Sequence, residues 1–144
     1  MLAIQMIAIG KKLSNIYSGI TLPICRKYGI NQTSFDVLMF CANNPERNTA
    51  RDICAVRGIK SGMASVAVET LIKSGLMVRQ EDLSDRRIHR LIPTEKAEPI
   101  IEDGRRVQQD FVERLKRGID EEESTAFKSF MEKIIKNADD FGKE

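Results

Sequence analysis

Asp85, Arg86 and Arg87 stand together in a polar stretch and carry the most explicit chemistry in this chain. A carboxylate two residues before an arginine can hold the planar guanidinium by a two-pronged hydrogen bond. An arginine held in this way is a fixed cation aimed at an anion or an electronegative groove. Upstream, Ser61, Gly62, Ser65, Val66 and Glu69 recur at helical spacing and fall on one face. They offer two short hydroxyls, a missing side chain, an apolar tip and a carboxylate acceptor. Arg57, Lys60 and Lys73 flank that face, and Arg79 lies between it and the arginine pair. The chain's one histidine, His89, has no partners at ligand spacing. The acids at 120–123 are better explained as a helix start than as an acid–base pair. There is no glycine-rich phosphate loop and no nucleophile elbow. Neither catalysis, a metal nor a cofactor is expected.

The elements that must position these residues follow from periodicity. Leu2, Met6, Ile9, Leu13, Ile16 and Ile20 form one stripe of a long first helix. Pro23 predicts a kink or break near residues 19–23, with a short helical piece to Tyr28 closed by Gly29. A second helix is expected to start after Thr33 or Ser34, with Phe35, Leu38 and Met39 inward, and to end at Asn43, Asn44 and Pro45. Thr49 opens a third helix, with Asp52 in the position of a short capping box. Ile53 and Val56 face its core side and Gly58 closes it. The fourth runs from near Ser61 to Ser74-Gly75, with Ala64, Ala67, Val68 and Leu71 buried. Those small residues let it pack close to the helix before it. Met63 can face either core or solvent.

Residues 76–80 and 88–92 alternate like two strands, with a polar loop at 81–87 between them. Thr94 is placed to cap a long fifth helix with Ile100, Val107, Phe111 and Leu115 on its apolar face. Pro99 predicts a small distortion near its start. Gly118 ends it, and Asp120 with Glu123 opens a sixth helix striped by Phe127, Phe130, Met131, Ile134, Ile135 and Phe141.

Helix, turn, helix and a basic hairpin make a winged helix-turn-helix. The fold class is mainly α with a small β-hairpin wing. That shape lays one helix in a DNA major groove and the hairpin on the flanking backbone or minor groove. In such a site Val66 can touch a thymine methyl and Glu69 can accept from a cytosine amino group. Arg57, Lys60 and Lys73 suit phosphates, which orient a protein without carrying sequence information. Arg86 and Arg79 suit backbone contacts or salt bridges within the wing. The blander alternatives are a solvated helix face and a turn-forming Asp85.

Composition agrees with a soluble globular chain. With 144 residues it can bury one core, and 42% hydrophobic with 31% charged residues is ordinary. The net charge of +2 hides an asymmetry, because residues 1–35 contain Lys11, Lys12, Arg26 and Lys27 and no acid. No stretch reaches the roughly 20 apolar residues of a membrane span. The apolar opening precedes its lysines, the wrong order for a signal peptide. Three cysteines without CxxC spacing, Cys25, Cys41 and Cys54, argue against a disulfide framework and for a reducing cytoplasm. All three lie among apolar residues and are expected to be inert buried thiols.

The segment LIKSGLMVRQEDLSDRRIHRLIPTEKA at 71–97, with the helix-turn-helix before it, resembles the MarR family of multiple-antibiotic-resistance-type regulators. The chain departs from the usual pattern at Val66, where a basic residue is frequent, and at Pro93 and Ala97, where Leu and Gly are usual. The resemblance implies a transcription regulator, often a repressor released by a small ligand or by thiol oxidation. It implies a homodimer in which the first and last two helices interlock, and a near-palindromic double-stranded operator. It places Arg87 at the wing position that enters the minor groove, and a small aromatic or phenolic effector between the dimer helices and the reading domain. Cys25 is nearest to the reactive position of the peroxide-sensing branch. The expected organisation is one domain over 1–144, with a DNA-binding core at 33–93 between dimerisation helices at 1–28 and 94–141. A winged-helix module for a protein partner is the competing reading.

Overall fold

A computed structural model describes residues 1–143. They form two compact units, residues 1–108 and a second from Gln109 onward. In chain order the elements are α1 (Leu2–Tyr28), α2 (Gln32–Asn43), α3 (Ala50–Asp52) running into a π-turn (Ile53–Arg57), α4 (Ser61–Lys73), β1 (Met77–Glu81), β2 (His89–Pro93), a 3-10 turn (Glu95–Ala97), α5 (Glu98–Leu115) and α6 (Glu121–Asp140). This is a mainly helical winged helix-turn-helix, as the periodicities predict. No described helix is long and apolar enough to cross a membrane.

The core of the first unit is built from α2, the π-turn, α4 and the hairpin, with the end of α1 and the start of α5 packed against them. Phe35, Leu38, Ile53, Leu71 and Met77 are fully enclosed in it. Every residue expected on the buried stripe of α4 is buried: Ala64, Ala67, Val68 and Leu71. Val56 is not, being 48% exposed. The chain after Asp52 widens into a π-turn, which rotates each later residue away from the 3.6-residue register that put Val56 inward. Gly58, at φ 76°, then supplies the left-handed residue that the tight link into α4 requires.

Pro23 does not break α1. The helix is continuous from Leu2 to Tyr28, although a mid-helix proline forfeits one backbone bond at a typical cost of about 3 kcal/mol. Ile24 and Cys25, immediately after it, are buried in the core, so packing holds the turn that propensity disfavours. Helix α2 begins earlier than expected, at Gln32. Asn31 is its cap, and the Asn31 side chain accepts the Ser34 amide at 2.8 Å. The capping boxes at Thr49/Asp52 and Asp120/Glu123 both form. Thr94 does not cap a helix with its side chain; its hydroxyl donates to the Gly75 carbonyl at 2.6 Å, and a 3-10 turn carries the chain into α5.

The two strands lie one residue later than periodicity placed them. They pair antiparallel, with Met77 opposite Pro93, Arg79 opposite Leu91 and Glu81 opposite His89. The hairpin is fastened to the segment before α3, because the Leu91 amide donates to the Asn48 carbonyl at 2.9 Å. Helix α5 is fastened to α1. Tyr28 donates its hydroxyl to Asp103 at 2.7 Å, Lys27 pairs with Asp103 at 2.9 Å, and Gln108 donates to the Tyr17 hydroxyl at 2.7 Å.

Candidate nucleic-acid interface

The wing tip is built around two aspartates. Asp85 holds Arg87 by two prongs, Nε to one carboxylate oxygen at 3.1 Å and Nη2 to the other at 2.9 Å. The Arg87 amide closes the same turn on Asp85 at 3.0 Å. These bonds draw the Asp85 carboxyl below the usual carboxylate range, the guanidinium contributing most and the backbone amide next. The Arg87 side chain is nonetheless 89% exposed, so a fixed cation faces solvent. This is the paired geometry that the Asp-x-Arg spacing predicts.

Asp82 organises the base of the loop, and sequence reasoning missed it. Its carboxylate takes the Ser84 hydroxyl, the Ser84 and Asp85 amides, and the Arg90 Nε at 3.1 Å. The Ser84 hydroxyl first and Arg90 second hold its carboxyl down at about 2. Arg90 also donates to the Glu46 carbonyl at 3.1 Å, so one guanidinium joins wing and scaffold. The available signal was an Asp-x-Ser-Asp run, which favours turns in which an aspartate side chain accepts nearby amides.

On α4, Ser61, Gly62, Ser65 and Val66 are exposed, and Met63 is half exposed beside them. They split between two sides. Gly62, Met63 and Val66 border an apolar groove against the start of α2 at Gln32 and Thr33. Ser61 and Ser65 border a hollow shared with Arg79 and His89 of the wing. Glu69 is not a free acceptor: it is paired with Arg79 of β1, which ties α4 to the hairpin. Arg57 also differs from expectation. It points to Asp36 of α2 at 3.3 Å rather than standing free. Burial raises the Asp36 carboxyl, and Arg57 opposes that rise. Lys60, Lys73 and Arg86 have no ion-pair partner among the described residues.

The cysteines divide. Cys25 and Cys41 are buried; burial raises the Cys25 thiol and pushes Cys41 up to about 12. Cys54 is only half buried and borders the hollow between α3, α4 and the wing, contrary to the expectation of three enclosed thiols.

Residues 28–88, from the end of α1 to the wing loop, match the model of the MarR family. Over that segment the chain is similar to the MarR family. Among curated proteins none matches. Solved structures share the fold over nearly the whole chain. CouR from Rhodococcus jostii RHA1, bound to p-coumaroyl-CoA, superposes with a TM-score of 0.76 at 21% identity, over 93% of this chain and 91% of that one. A MarR protein from Peptoclostridium difficile gives 0.74 at 20% identity, over 92% and 86%. The transcriptional regulator SlyA gives 0.75 at 20% identity, over 92% and 93%. Identities this low speak to fold. The shared fold covers the helices on both sides of the matched segment as well as the wing.

Proposed function

We propose that the protein is a sequence-specific, double-stranded-DNA-binding transcription regulator that acts in the cytoplasm as a homodimer, and not as an enzyme. The observation that carries this reading is the wing tip: a guanidinium fixed by Asp85 and left open to solvent. An arginine presented in this way fits a narrow A·T-rich minor groove, whose negative potential is enhanced. The exposed Ser61, Gly62, Ser65 and Val66 give the adjoining helix a low-profile surface for base edges. Lys60, Lys73 and Arg86 are free to neutralise phosphates. Arg57, Glu69 and Arg79 enter this reading as residues that orient the helix and wing through their own salt bridges. An acidic or apolar wing would favour a protein partner instead.

Dimerisation is supported by apolar faces on the flanking helices. Leu2, Ile4, Ile7 and Ile9 of α1 are half or more exposed, as are Phe127 and Ile135 of α6, and Phe141 just after it. Exposed apolar residues on each of these helices fit an association face. In a two-fold dimer the two reading helices contact half-sites roughly 34 Å apart, which calls for a near-palindromic operator.

In this reading the protein is a repressor released by a small aromatic or phenolic ligand. The groove of Gln32, Thr33, Met63 and Val66 is open and mainly apolar, and an aromatic occupant there covers part of the reading helix. CouR, which shares the fold, is bound to p-coumaroyl-CoA, an aromatic acyl thioester consistent with that chemical class. A thiol switch at Cys25 or Cys41 is disfavoured, because burial holds both thiols protonated.

Fluorescence anisotropy with DNA from the gene's own upstream region, against scrambled DNA at several salt concentrations, tests the reading. Selective, salt-dependent binding that Arg87→Ala removes is the expected result, with the dimer intact by light scattering. Equal weak binding to both DNAs favours the protein-partner reading. Unchanged operator affinity in Arg87→Ala at matched salt removes the wing from the interface.

A further inference from the structure

Two hollows lie side by side on the surface that carries α4 and the wing. The inner one, about 380 Å³, is bordered by Ser61 and Ser65 of α4 and by Arg79. The outer one, about 650 Å³, is bordered by Arg87 of the wing tip and by Arg47. Three residues border both: Ala50, Arg51 and His89. They form the ridge between the reading helix and the wing arginine. Arg51 and His89 are both exposed, and Arg51 has no ion-pair partner among the described residues.

Adjacent major and minor grooves of a duplex are separated by one sugar–phosphate strand. A protein with α4 in the first groove and Arg87 in the second must lay something across that strand. The surface between those two elements is this ridge. We propose that Arg51 and His89 seat the phosphates of the strand that separates the two grooves. The inference rests on the DNA-binding reading above and adds to it two residues that residue spacing did not suggest.

The chemistry fits phosphate oxygens. Arg51 supplies a charge and a donor fork, and His89 supplies a ring N–H. Ala50 adds no bulk between them. Of the acids nearby, Asp52 is engaged, whereas Glu81 and Glu46 have no ion pair among the described residues. Asp52 accepts from Thr49 and lies 3.9 Å from Arg47, and Glu81 lies opposite His89 in the hairpin register. Glu46, on the outer hollow, is the remaining carboxylate there.

The test uses the full-length protein with operator and scrambled DNA between about 50 and 200 mM salt, with Arg51→Ala, Arg51→Lys and His89→Ala. Each phosphate neutralised by a cation adds about 0.9 to the slope of log affinity against log salt. Arg51→Ala is expected to weaken operator and scrambled DNA alike and to lower that slope by about 0.9. Arg51→Lys should restore the slope. His89→Ala should weaken operator and scrambled DNA alike, because the ring N–H it removes meets phosphate and not a base edge. Neutral methylphosphonates placed singly along the operator give an independent readout. One position should weaken the parent protein and leave Arg51→Ala unaffected. Selective binding by the parent with an unchanged slope in Arg51→Ala overturns the inference alone. No selective binding by the parent overturns it together with the DNA-binding reading.

Discussion

Gly104 lies on the buried face of α5, against Met39 and Phe35 of α2. A methyl group added there falls 2.6 Å from the Met39 sulfur, 2.8 Å from its terminal methyl and 3.2 Å from the Phe35 ring. Met39 and Phe35 are themselves enclosed, at 2% and 0% exposure. The thioether is flexible, but its sulfur is the middle of the chain, and the Phe35 ring closes the other side. Overpacking of this kind costs about 1–3 kcal/mol. Against it stands the gain of about 1 kcal/mol when alanine replaces glycine within a helix. The balance for Gly104→Ala is a loss of about 1 kcal/mol. Urea unfolding followed by circular dichroism, at one fixed protomer concentration, reads this directly. Met39→Ala alone should cost about 2–5 kcal/mol through the cavity it leaves. In the Gly104→Ala background it should cost less by about 1 kcal/mol, since the new methyl enters that space. A Gly104→Ala protein as stable as its parent, or a double-mutant cycle with no coupling, refutes the steric argument.

Further outcomes follow from the capping and the wing. Thr49→Ala removes one half of the capping box at α3 and should cost about 1 kcal/mol, read as a lower urea midpoint. The same change should weaken operator binding only through stability, so near-parent affinity well below the unfolding midpoint is expected. The Asp82 carboxyl sits at about 2, below its ordinary value, so its contribution to the wing is present above about pH 4. It is lost as pH falls towards 2, and carboxyl-detected NMR should show the midpoint near 2, moving upward in Arg90→Met. A midpoint near 4 in the parent protein counts against the Asp82 hub. Asp36 has the opposite sign. Its carboxyl is raised by burial, so its contribution is full below the ordinary carboxylate value and declines as pH rises through the raised one. Asp36→Asn should therefore flatten that decline in a urea-midpoint against pH series.

The sequence displays what is local and hides what is settled by tertiary contact. Residues 64, 67, 68 and 71 repeat at helical spacing and are apolar, and that alone gives the buried face of α4. Asp85 and Arg87 are two residues apart in a turn, and their pairing needs no distant partner. Thr49 and Asp52 form a capping box for the same reason. Pro23 shows the opposite case: its neighbours Ile24 and Cys25 are buried against other helices, and a one-dimensional pattern does not contain that packing. Val56 faces outward because a single π-turn shifts the register, and nothing in residue type announces one. Thr94 bonds a carbonyl 19 residues away instead of the helix it precedes.

The candidate interface divides on the same line, and the division has a consequence for how the site works. Of the cations expected to meet DNA, Arg57 and Arg79 are held by acids on other elements, at Asp36 and Glu69. Their partners lie 21 and 10 residues away in sequence, so spacing gave no sign of them. Arg87 is held by a neighbour and still faces solvent. Lys60, Lys73 and Arg86 are unheld. A cation tied to a scaffold carboxylate must give up that bond before it can serve a phosphate, whereas a free one need only shed water. Charge count along the chain therefore overstates the footprint at positions 57 and 79 and misses it at 51. The salt slope of the parent protein measures the difference, because it counts phosphates actually neutralised. Arg57→Gln and Arg79→Gln should leave that slope nearly unchanged, whereas Lys60→Gln should lower it. Equal slope losses at all three positions would mean that both scaffold salt bridges open when the protein meets DNA.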